Sequence, residues 1–352
     1  MSVQLTILEC TLRDGSYAID FQFTREDTLA IAGALDAAGF EMIEIGHGVG
    51  MGAQESGKGF AAESDETYML AAAQAVRHGR WGMFCIPGIA RIDHLRMAVD
   101  HGMDFVRIGT NIDRIDESRP FIDEARKLGL MVITNFMKSY ALPPAEFAQL
   151  ARRSHEFGAE IVYLVDSAGG MLPEDVQAYV GAARDWTPDI RLGFHGHNNL
   201  GLGVANLLVA VRAGVELVDT SLQGMGRSTG NPPTEQVLCV LSRDPRFAQK
   251  MDALTVMAIG RRHIQPFLTN HGIDSLDIVS GHAQFHTSHM PLIQKYATRY
   301  RVDPHHLIIA VCRRDKLSVS DSLVDEEAER LSREGVRGGR LLFGRYPGQE
   351  QG

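Results

Sequence analysis

An alternation of eight short apolar runs with longer segments of helical periodicity constrains the fold of this chain most strongly. The runs are rich in β-branched residues and apolar on both faces, which predicts the strands of a buried parallel sheet. The segments between them predict helices, because their apolar residues recur on one helical face. The predicted strands are Leu5–Cys10, Phe40–Gly46, Trp81–Ile86, Met103–Gly109, Leu130–Phe136, Ala159–Asp166, Ile190–His195 and Val215–Ser221.

The signals at the ends of the predicted helices agree with this alternation. Glycine follows most of them, where a left-handed residue ends a helix at low cost. Thr24 with Asp27 predicts a capped helix start, and Pro144 and Pro173 suit first helical turns. Eight β–α units in about 245 residues predict an α/β fold, a TIM (β/α)8 barrel. The alternative is a doubly wound open sheet, whose glycine-rich first turn is replaced here by the charged segment 11–16.

The alternation stops near residue 262, which predicts three regions. Residues 1–262 form the catalytic barrel, 263–340 a helical C-terminal domain, and 341–352 a flexible tail rich in glycine and arginine. Helices are predicted at Pro291–Tyr300, Pro304–Arg313 and Ser320–Glu334. The glycine-rich segment Gly46–Gly59 follows the second strand, so we expect either a mobile cover for the site or an ordinary surface loop.

Composition and charge exclude several classes of protein. The net charge of −9 argues against a nucleic-acid surface, which would need a basic patch. The four cysteines are far apart in sequence, which favours reduced thiols that fill the core. No signal-peptide pattern begins the sequence, and no apolar run approaches ~18 residues. We therefore expect a cytoplasmic protein with no membrane and no nucleic-acid partner.

Three side chains form a candidate metal site. His195 and His197 lie two residues apart at the end of the seventh predicted strand, so both imidazoles point to one face. Asp14 follows the first strand, and in a barrel the carboxyl ends of all strands meet at one face. A carboxylate with two imidazoles suits Mn²⁺, Mg²⁺, Co²⁺ or Zn²⁺. The alternative is that the two histidines are only polar residues that end a strand.

Two further residues are candidates for contacts with a substrate. Arg13 lies beside Asp14, where a guanidinium would stabilise an enolate oxygen as negative charge develops. An ion pair at the barrel mouth is the alternative for Arg13. Ser167 follows the sixth strand and suits a hydrogen bond to a substrate carboxylate, or alternatively a helix cap before Pro173.

Four segments of the sequence carry a resemblance to a known family. The segments are Thr11-Leu12-Arg13-Asp14-Gly15, Asp166-Ser167-Ala168-Gly169, His195-Gly196-His197-Asn198-Asn199-Leu200, and Gly224-Met225-Gly226 with Gly230-Asn231. Together they resemble the metal-dependent pyruvate aldolase and hydroxymethylglutaryl-CoA lyase-like barrel superfamily. Among its members the 4-hydroxy-2-oxovalerate aldolases are the most similar, and the likeness continues weakly to about Arg314.

The resemblance implies a class II aldolase that cleaves or forms a 4-hydroxy-2-oxo acid from pyruvate, or a close 2-oxo acid, and an aldehyde. It implies a divalent ion, Mn²⁺ above the others, held by Asp14, His195 and His197, with Asn231 as a further candidate ligand. It also implies that Arg13 stabilises the enolate, and that Ser167 and His195 contact the substrate. Relatives of this kind often bind an acylating aldehyde dehydrogenase, so such a partner and a homo- or hetero-oligomer are expected.

The sequence departs from the family at two catalytic positions. The aldolase pattern has a histidine as base three residues after the aspartate, and this chain has Tyr17 there. The family's C-terminal tyrosine is matched by His286. We therefore predict that His286 serves as base and Tyr17 orients the substrate, with His289 and His47 as other candidates for the base.

Two other functions remain open at this stage. One is an acyl-CoA-condensing enzyme similar to isopropylmalate synthase. The other is a catalytically silent homologue that regulates a partner, which the altered base position would favour.

Overall fold

The computed structural model describes residues 5–244, 246–247, 251–268 and 275–338. Eight parallel strands form a closed barrel in which each strand pairs with the next along the chain. The first strand also pairs with the last, with Leu8 opposite Asp219. This closure excludes the doubly wound sheet and confirms the predicted barrel. The strands are β1 (Thr6–Glu9), β2 (Met42–Ile45), β3 (Arg80–Cys85), β4 (Phe105–Asn111), β5 (Met131–Met137), β6 (Ile161–Asp166), β7 (Leu192–Gly196) and β8 (Leu217–Thr220).

A helix follows each strand and carries the same number. The local sequence explains where several of them start and stop. Thr24 forms the predicted capping box with Asp27, and Pro144 and Pro173 are first helical residues. Gly158 ends α5 with a φ of 111°, which only glycine adopts readily. The helices are α1 (Arg25–Ala37), α2 (Asp65–Ala75), α3 (Ile92–Asp100), α4 (Arg119–Lys127), α5 (Pro144–Phe157), α6 (Pro173–Trp186), α7 (Gly203–Arg212) and α8 (Thr234–Leu241).

Five more helices follow the barrel in the described part of the chain. They are α9 (Ala253–His263), α10 (Ser275–Ala283), α11 (Met290–Tyr300), α12 (Pro304–Arg314) and α13 (Asp321–Arg333). The last three match the helices that the sequence predicted, whereas α9 and α10 were not predicted. Helices α10 to α13 pack around an apolar cluster of their own that includes Leu307, Val311 and Val324. The domain boundary predicted at residue 262 falls inside α9, one residue before its end.

Two other predicted segments have different outcomes. Much of Gly46–Gly59 is turn, and Met51 and Ala53 within it are fully buried, so it packs closely against the barrel. The predicted tail 341–352 lies outside the described residues. In the part of the chain that the structure describes, the helices are too short or too polar to cross a bilayer.

The inside of the barrel contains charged side chains as well as apolar ones. Glu44 on β2, Arg107 on β4 and Asp219 on β8 are almost completely inaccessible to solvent. Arg107 forms ion pairs with both carboxylates, at 2.9 Å to Glu44 and 2.7 Å to Asp219. The expectation that the strands are apolar on both faces is therefore wrong at these positions. Their mutual pairing makes burial tolerable, because a lone charge would be strongly destabilising there.

Candidate metal centre and active site

A cavity of about 720 Å³ opens at the carboxyl ends of the barrel strands. Residues from β6 and β7, from the turn after β1 and from the segment before α11 line it. Asn231 contacts Asp14 but does not line the cavity itself. The structure therefore brings together the other residues that the sequence selected for the site, which are Arg13, Asp14, Tyr17, Ser167, His195, His197 and His286.

Asp14, His195 and His197 supply one ligand atom each within 4.8 Å of one another, and all three side chains are buried. The Nε2 atoms of the two histidines are 3.4 Å apart. Strand β7 explains this proximity, because residues two apart on a strand share a face. Asp14 joins them from the turn that follows β1, at the same end of the barrel.

The contacts of the two Nδ1 atoms show which tautomer each ring favours. His195 Nδ1 donates to Asp219 Oδ2 at 2.8 Å, which leaves Nε2 unprotonated. His197 Nδ1 faces the carbonyl oxygen of Gly230 at 3.4 Å, which favours the same tautomer. Burial lowers the pKa of His197 well below its usual value, which keeps its ring neutral. The Nε2 atoms of both rings lie together beside Asp14, and an imidazole that binds a divalent cation does so through an unprotonated nitrogen.

Asp14 is held ionised at the centre of this group. Burial alone would raise its pKa, but Arg13 and the two histidines hold the pKa of the carboxyl well below its usual range. Arg13 donates to Oδ1 at 2.6 Å and Asn231 donates to Oδ2 at 2.7 Å. A Cβ atom at Gly226 would lie 3.0 Å from Asp14 Oδ2, so only glycine lets this loop approach the carboxylate so closely.

A polar atom that lacks a partner supports the presence of a cation site. Asn231 Oδ1 is buried and accepts no hydrogen bond from the described residues. Such an oxygen is costly to bury unless a donor or a cation satisfies it. The Asp14, His195 and His197 donor set carries one negative charge and three electron-pair donors, so these residues fit a divalent ion. The role of Asn231 as a further ligand stays a prediction.

A network of buried charged side chains holds Arg13 and His195 in place. The sequence analysis did not predict this network. Glu44 accepts from Arg13 Nε at 2.8 Å and from Arg107 NH1 at 2.9 Å. Asp219 accepts from His195 and pairs with Arg107. Arg107 therefore connects the supports of Arg13 and His195. Charged residues within β2, β4 and β8 were the available signal, since a charge in a buried strand needs a partner.

The guanidinium of Arg13 is fixed on two sides and free on the third. Its Nε binds Glu44 and its NH1 binds Asp14, as the alternative of an ion pair predicted. Its NH2 is buried with no hydrogen-bond partner among the described residues. The ion pairs and the predicted contact with an enolate are therefore compatible, because they use different nitrogens of one rigid group.

Ser167 is not a helix cap. The residue that caps α6 is Leu172, and Ser167 Oγ instead accepts from the backbone N–H of Lys138 at 3.0 Å. Because that contact uses a lone pair, the hydroxyl hydrogen remains available to donate into the cavity. This position is compatible with the predicted contact to a substrate carboxylate.

Tyr17 and His286 both line the cavity, as the predicted exchange of roles requires. The hydrogen bonds of His286, however, argue against its predicted role as base. Its Nδ1 lies 2.6 Å from Ser288 Oγ, 3.3 Å from the Ser288 backbone nitrogen and 3.2 Å from Arg227 NH1. The last two groups can only donate, so Nδ1 is an acceptor to which the hydroxyl also donates, and a neutral His286 carries its proton on Nε2 and has no free lone pair. A base needs such a lone pair.

The two other candidates for the base differ in position. His47 stacks on Phe21 with ring centroids 3.9 Å apart and does not line the cavity, so the structure does not support it as base. His289 does line the cavity. Its Nε2 is buried without a partner among the described residues. Burial, and to a lesser extent Lys138, lower the pKa of His289 to about 4.

Arg227 is a cavity residue that sequence reasoning missed. Its guanidinium is buried and lies 3.2 Å from the carbonyl oxygen of Ser167 and 3.3 Å from His197 Nε2. On its other side it contacts His286 Nδ1 at 3.2 Å. The sequence did offer one signal for Arg227. This residue lies between Gly224–Gly226 and Gly230–Asn231, the two parts of one motif that carries the family resemblance.

Fold and site together define a class, the (β/α)8 barrels with a candidate centre for a divalent ion at the carboxyl end of the strands. Within that class, the chain belongs to the HMGL-like family, whose model matches residues 4–262. This result agrees with the resemblance found in the sequence.

Two named relatives are similar to this chain over most of its length. The chain is 34% identical over 334 residues to the 4-hydroxy-2-oxovalerate aldolase of Moorella thermoacetica. That alignment covers 95% of this chain and 98% of the relative. It is 40% identical over 284 residues to the oxaloacetate decarboxylase of Mycobacterium tuberculosis. That alignment covers 77% of this chain and 84% of the relative. The matches support an aldolase-type lyase, as the sequence predicted.

One solved structure shows the same fold. The carboxyl transferase domain of Rhizobium etli pyruvate carboxylase, with pyruvate and biocytin, superimposes with a TM-score of 0.75. The match covers 95% of this chain and 61% of that chain, at 18% identity. At this identity the likeness shows the fold alone.

Proposed function

We propose that this protein is a divalent-metal-dependent lyase that breaks or forms the C3–C4 bond of a 4-hydroxy-2-oxo acid. Pyruvate or a close 2-oxo acid is one half of the substrate, and an aldehyde is the other. The observation that carries the proposal is the convergence of Asp14, His195 and His197 in one cavity beside the NH2 of Arg13, which has no partner among the described residues. We propose Mn²⁺ as the ion, from the resemblance to the family.

The ion, when bound, supplies a Lewis acid for the oxygens of the 2-oxo acid. Arg13 NH2 donates to the C2 oxygen as the electron pair of the C3–C4 bond moves onto the enolate. Glu44 and Asp14 already hold the other guanidinium nitrogens, so this donor needs no reorganisation. The hydroxyl of Ser167 donates to the C1 carboxylate and orients that end of the substrate.

The aldol reaction also needs a base that takes the proton from the 4-hydroxyl. We assign this role to His289, because its ring is unprotonated at neutral pH and its Nε2 is unpartnered among the described residues. Tyr17 orients the 4-hydroxyl from the opposite segment. The aldehyde leaves, and the proton that His289 accepted moves to C3 of the enolate, which gives the free 2-oxo acid.

A second candidate function is the decarboxylation of oxaloacetate. The relative with 40% identity is named for that reaction. The same C3–C4 bond breaks, the same enolate receives the electron pair, and CO₂ leaves in place of an aldehyde. This reaction needs no base for a hydroxyl group, which agrees with Tyr17 at the position where the family has its histidine.

The remaining alternatives rank lower. The relatives compared above are named for aldol cleavage and decarboxylation, which does not favour an acyl-CoA-condensing enzyme. The complete Asp14, His195 and His197 donor set does not favour a silent regulatory homologue. An acylating aldehyde dehydrogenase partner and a homo- or hetero-oligomer remain predictions from the resemblance alone.

The test measures pyruvate release from 4-hydroxy-2-oxovalerate and, in parallel, from oxaloacetate, with added Mn²⁺ and with a chelator. Asp14→Asn protein is the matched blank, because free Mn²⁺ can itself promote decarboxylation of oxaloacetate. We expect metal-dependent release that exceeds this blank. Release from oxaloacetate alone would select decarboxylation, and no release from either substrate would contradict both candidates.

A further inference from the structure

Five apolar side chains line the cavity in addition to the residues of the candidate ion site, and we call them the apolar wall. They come from two parts of the chain, the loops that follow β2 and β3 and the first turn of α11. The mechanism proposed above uses none of them. The members of the apolar wall are Val49, Ile86, Ile89, Pro291 and Leu292.

Hydrogen bonds fix the part of the apolar wall that follows β2 and β3. The Met51 N–H donates to the carbonyl oxygen of Phe84 at 2.9 Å, and the hydroxyl of Ser56 donates to that of Ile89 at 3.1 Å. Gly50 allows this close approach, because a Cβ atom there would lie 2.6 Å from the Phe84 carbonyl oxygen. These contacts hold the surface in place, so binding an apolar group to it needs little ordering of the protein.

The apolar wall adjoins both groups that the mechanism places at the 4-hydroxyl of the substrate. Tyr17 packs in one apolar cluster with the wall residues that follow β2 and β3. His289 directly precedes α11, and Leu292 lies in the first turn of that helix. A substituent on C4 therefore extends from the reacting carbon towards the apolar wall.

The smallest aldol substrate leaves this wall largely unused. The cavity has a volume of about 720 Å³, which is in the range of sites that enclose drug-sized ligands. 4-Hydroxy-2-oxovalerate has only a methyl group beyond C4. Most of the apolar wall would then remain in contact with water, which is unfavourable, and a longer alkyl chain would displace that water.

One cation lies on the same segment as part of the wall. Lys58 lines the cavity and follows Val49 in the loop after β2, but it is only half-buried. A lysine side chain in such a position lays its methylene groups along an apolar surface and keeps its ammonium group in water. Lys58 is therefore compatible with an apolar substrate group.

We propose that the apolar wall binds an alkyl chain of several carbons on C4, so that the aldehyde half of the substrate is a medium-chain aliphatic aldehyde. Pentanal represents this class and adds to pyruvate to give 4-hydroxy-2-oxooctanoate with no other product. The inference rests on the proposed aldol function of the same site. Leu292 is then a residue that determines specificity, because it is half-buried at the cavity and follows the base closely in the chain.

The first test uses two ligands that are not cleaved and differ by three methylene groups, 2-oxovalerate and 2-oxooctanoate. Calorimetry with the Mn²⁺-loaded protein measures their dissociation constants. We expect 2-oxooctanoate to bind roughly 10–60-fold more tightly, since each fully buried methylene group contributes about 4-fold. A ratio near one would overturn the inference. Still tighter binding of 2-oxosuberate, which has a carboxylate in place of the terminal methyl group, would assign an anionic substrate and overturn it too.

A variant locates the effect on the apolar wall. Leu292→Gln should reduce the preference for 2-oxooctanoate by ~3–10-fold, because a polar amide is poorly solvated beside an alkyl chain. Leu254→Gln makes the same substitution at an exposed position on α9 and should leave the preference unchanged. An unchanged preference in Leu292→Gln would contradict the inference. If Leu292→Gln fails to fold, Ile89→Gln is measured in the same way.

Turnover separates this inference from the proposed function. Aldol addition of pyruvate is measured with acetaldehyde and with pentanal, and we expect kcat/KM to be roughly 10–60-fold higher for pentanal. A higher value for acetaldehyde would overturn the inference and leave the aldol function intact. A preference for 2-oxooctanoate without turnover of either aldehyde would contradict the proposed function and leave the apolar wall intact.

Discussion

Asp219 Oδ2 lies 2.8 Å from His195 Nδ1 and orients that imidazole towards the candidate metal site. Asp219 also accepts from Tyr163 and pairs with Arg107, so its carboxylate is fixed. Burial alone would raise the pKa of Asp219, but Arg107 and His195 hold that pKa below its usual range, which keeps the carboxyl ionised. Partners of this kind set the tautomer and basicity of a metal-binding histidine.

The first prediction is that Asp219→Asn weakens Mn²⁺ binding by ~10–100-fold. The amide accepts a weaker hydrogen bond from His195 and brings a donor close to Arg107. Calorimetric titration of metal-free protein measures the affinity. Tyr163→Phe is the control, because it removes one contact to Asp219 and leaves the contact to His195. An unchanged Mn²⁺ affinity in Asp219→Asn would show that His195 does not bind the ion through Nε2.

Arg13→Lys should lower kcat by ~10²–10³ and change KM little. Lysine keeps the positive charge but loses the rigid group that binds Glu44 and Asp14 through two nitrogens and leaves NH2 free. Steady-state kinetics with a saturating divalent ion give both constants. A rise in KM with normal kcat would assign Arg13 to ground-state binding instead of enolate stabilisation.

His286→Gln and His289→Gln should affect the pH profile differently. The amide of glutamine replaces the donor of His286, so kcat/KM should keep its shape between about pH 6 and 8 and fall only ~2–10-fold. His289→Gln should lower the rate of aldol cleavage by ~10²–10⁴ and remove the rise in activity with pH near the pKa of about 4. Activity rises there because a base works only when unprotonated. If His286→Gln abolished the change of kcat/KM with pH near neutrality, His286 would be the base after all.

The barrel could be predicted from the sequence because the hydrophobic periodicity of each strand and helix, and their order along the chain, are local properties. Each predicted strand overlaps an observed one, and the closure of β1 on β8 follows once eight β–α units are recognised. Helix α10 was not predicted. Its sequence contains Gly281 and two β-branched residues, Ile278 and Val279, so the helical signal is weak.

The site was predictable only where one short motif carried the chemistry. The Asp14, His195 and His197 set could be predicted from two segments and the geometry of a barrel. Arg227 was missed because its partners come from three separate segments. The hydrogen bonds that fix the proton of His286 were also beyond sequence reasoning. They depend on Arg227, which is 59 residues away in the chain.

The last prediction concerns stability as a function of pH and uses His47. This ring is buried and stacks on Phe21, and its Nδ1 accepts from the Val49 N–H at 3.1 Å. Burial lowers the pKa of His47 from 6.5 to about 4. As pH falls below 6.5, the unfolded chain takes up a proton before the folded protein does, so stability decreases until pH reaches about 4.

Between pH 7.5 and 5 this one histidine should reduce the free energy of unfolding by about 2 kcal/mol. In His47→Asn the amide oxygen can still accept from the Val49 N–H, in an Asx turn, but the side chain no longer titrates. The loss of stability between these two pH values should therefore be about 2 kcal/mol smaller in His47→Asn than in wild type. Urea unfolding of metal-free protein at the two pH values measures this loss of stability. The control is His282→Asn, which replaces an exposed histidine. Equal losses in wild type and His47→Asn would mean that His47 is accessible to protons in the folded protein.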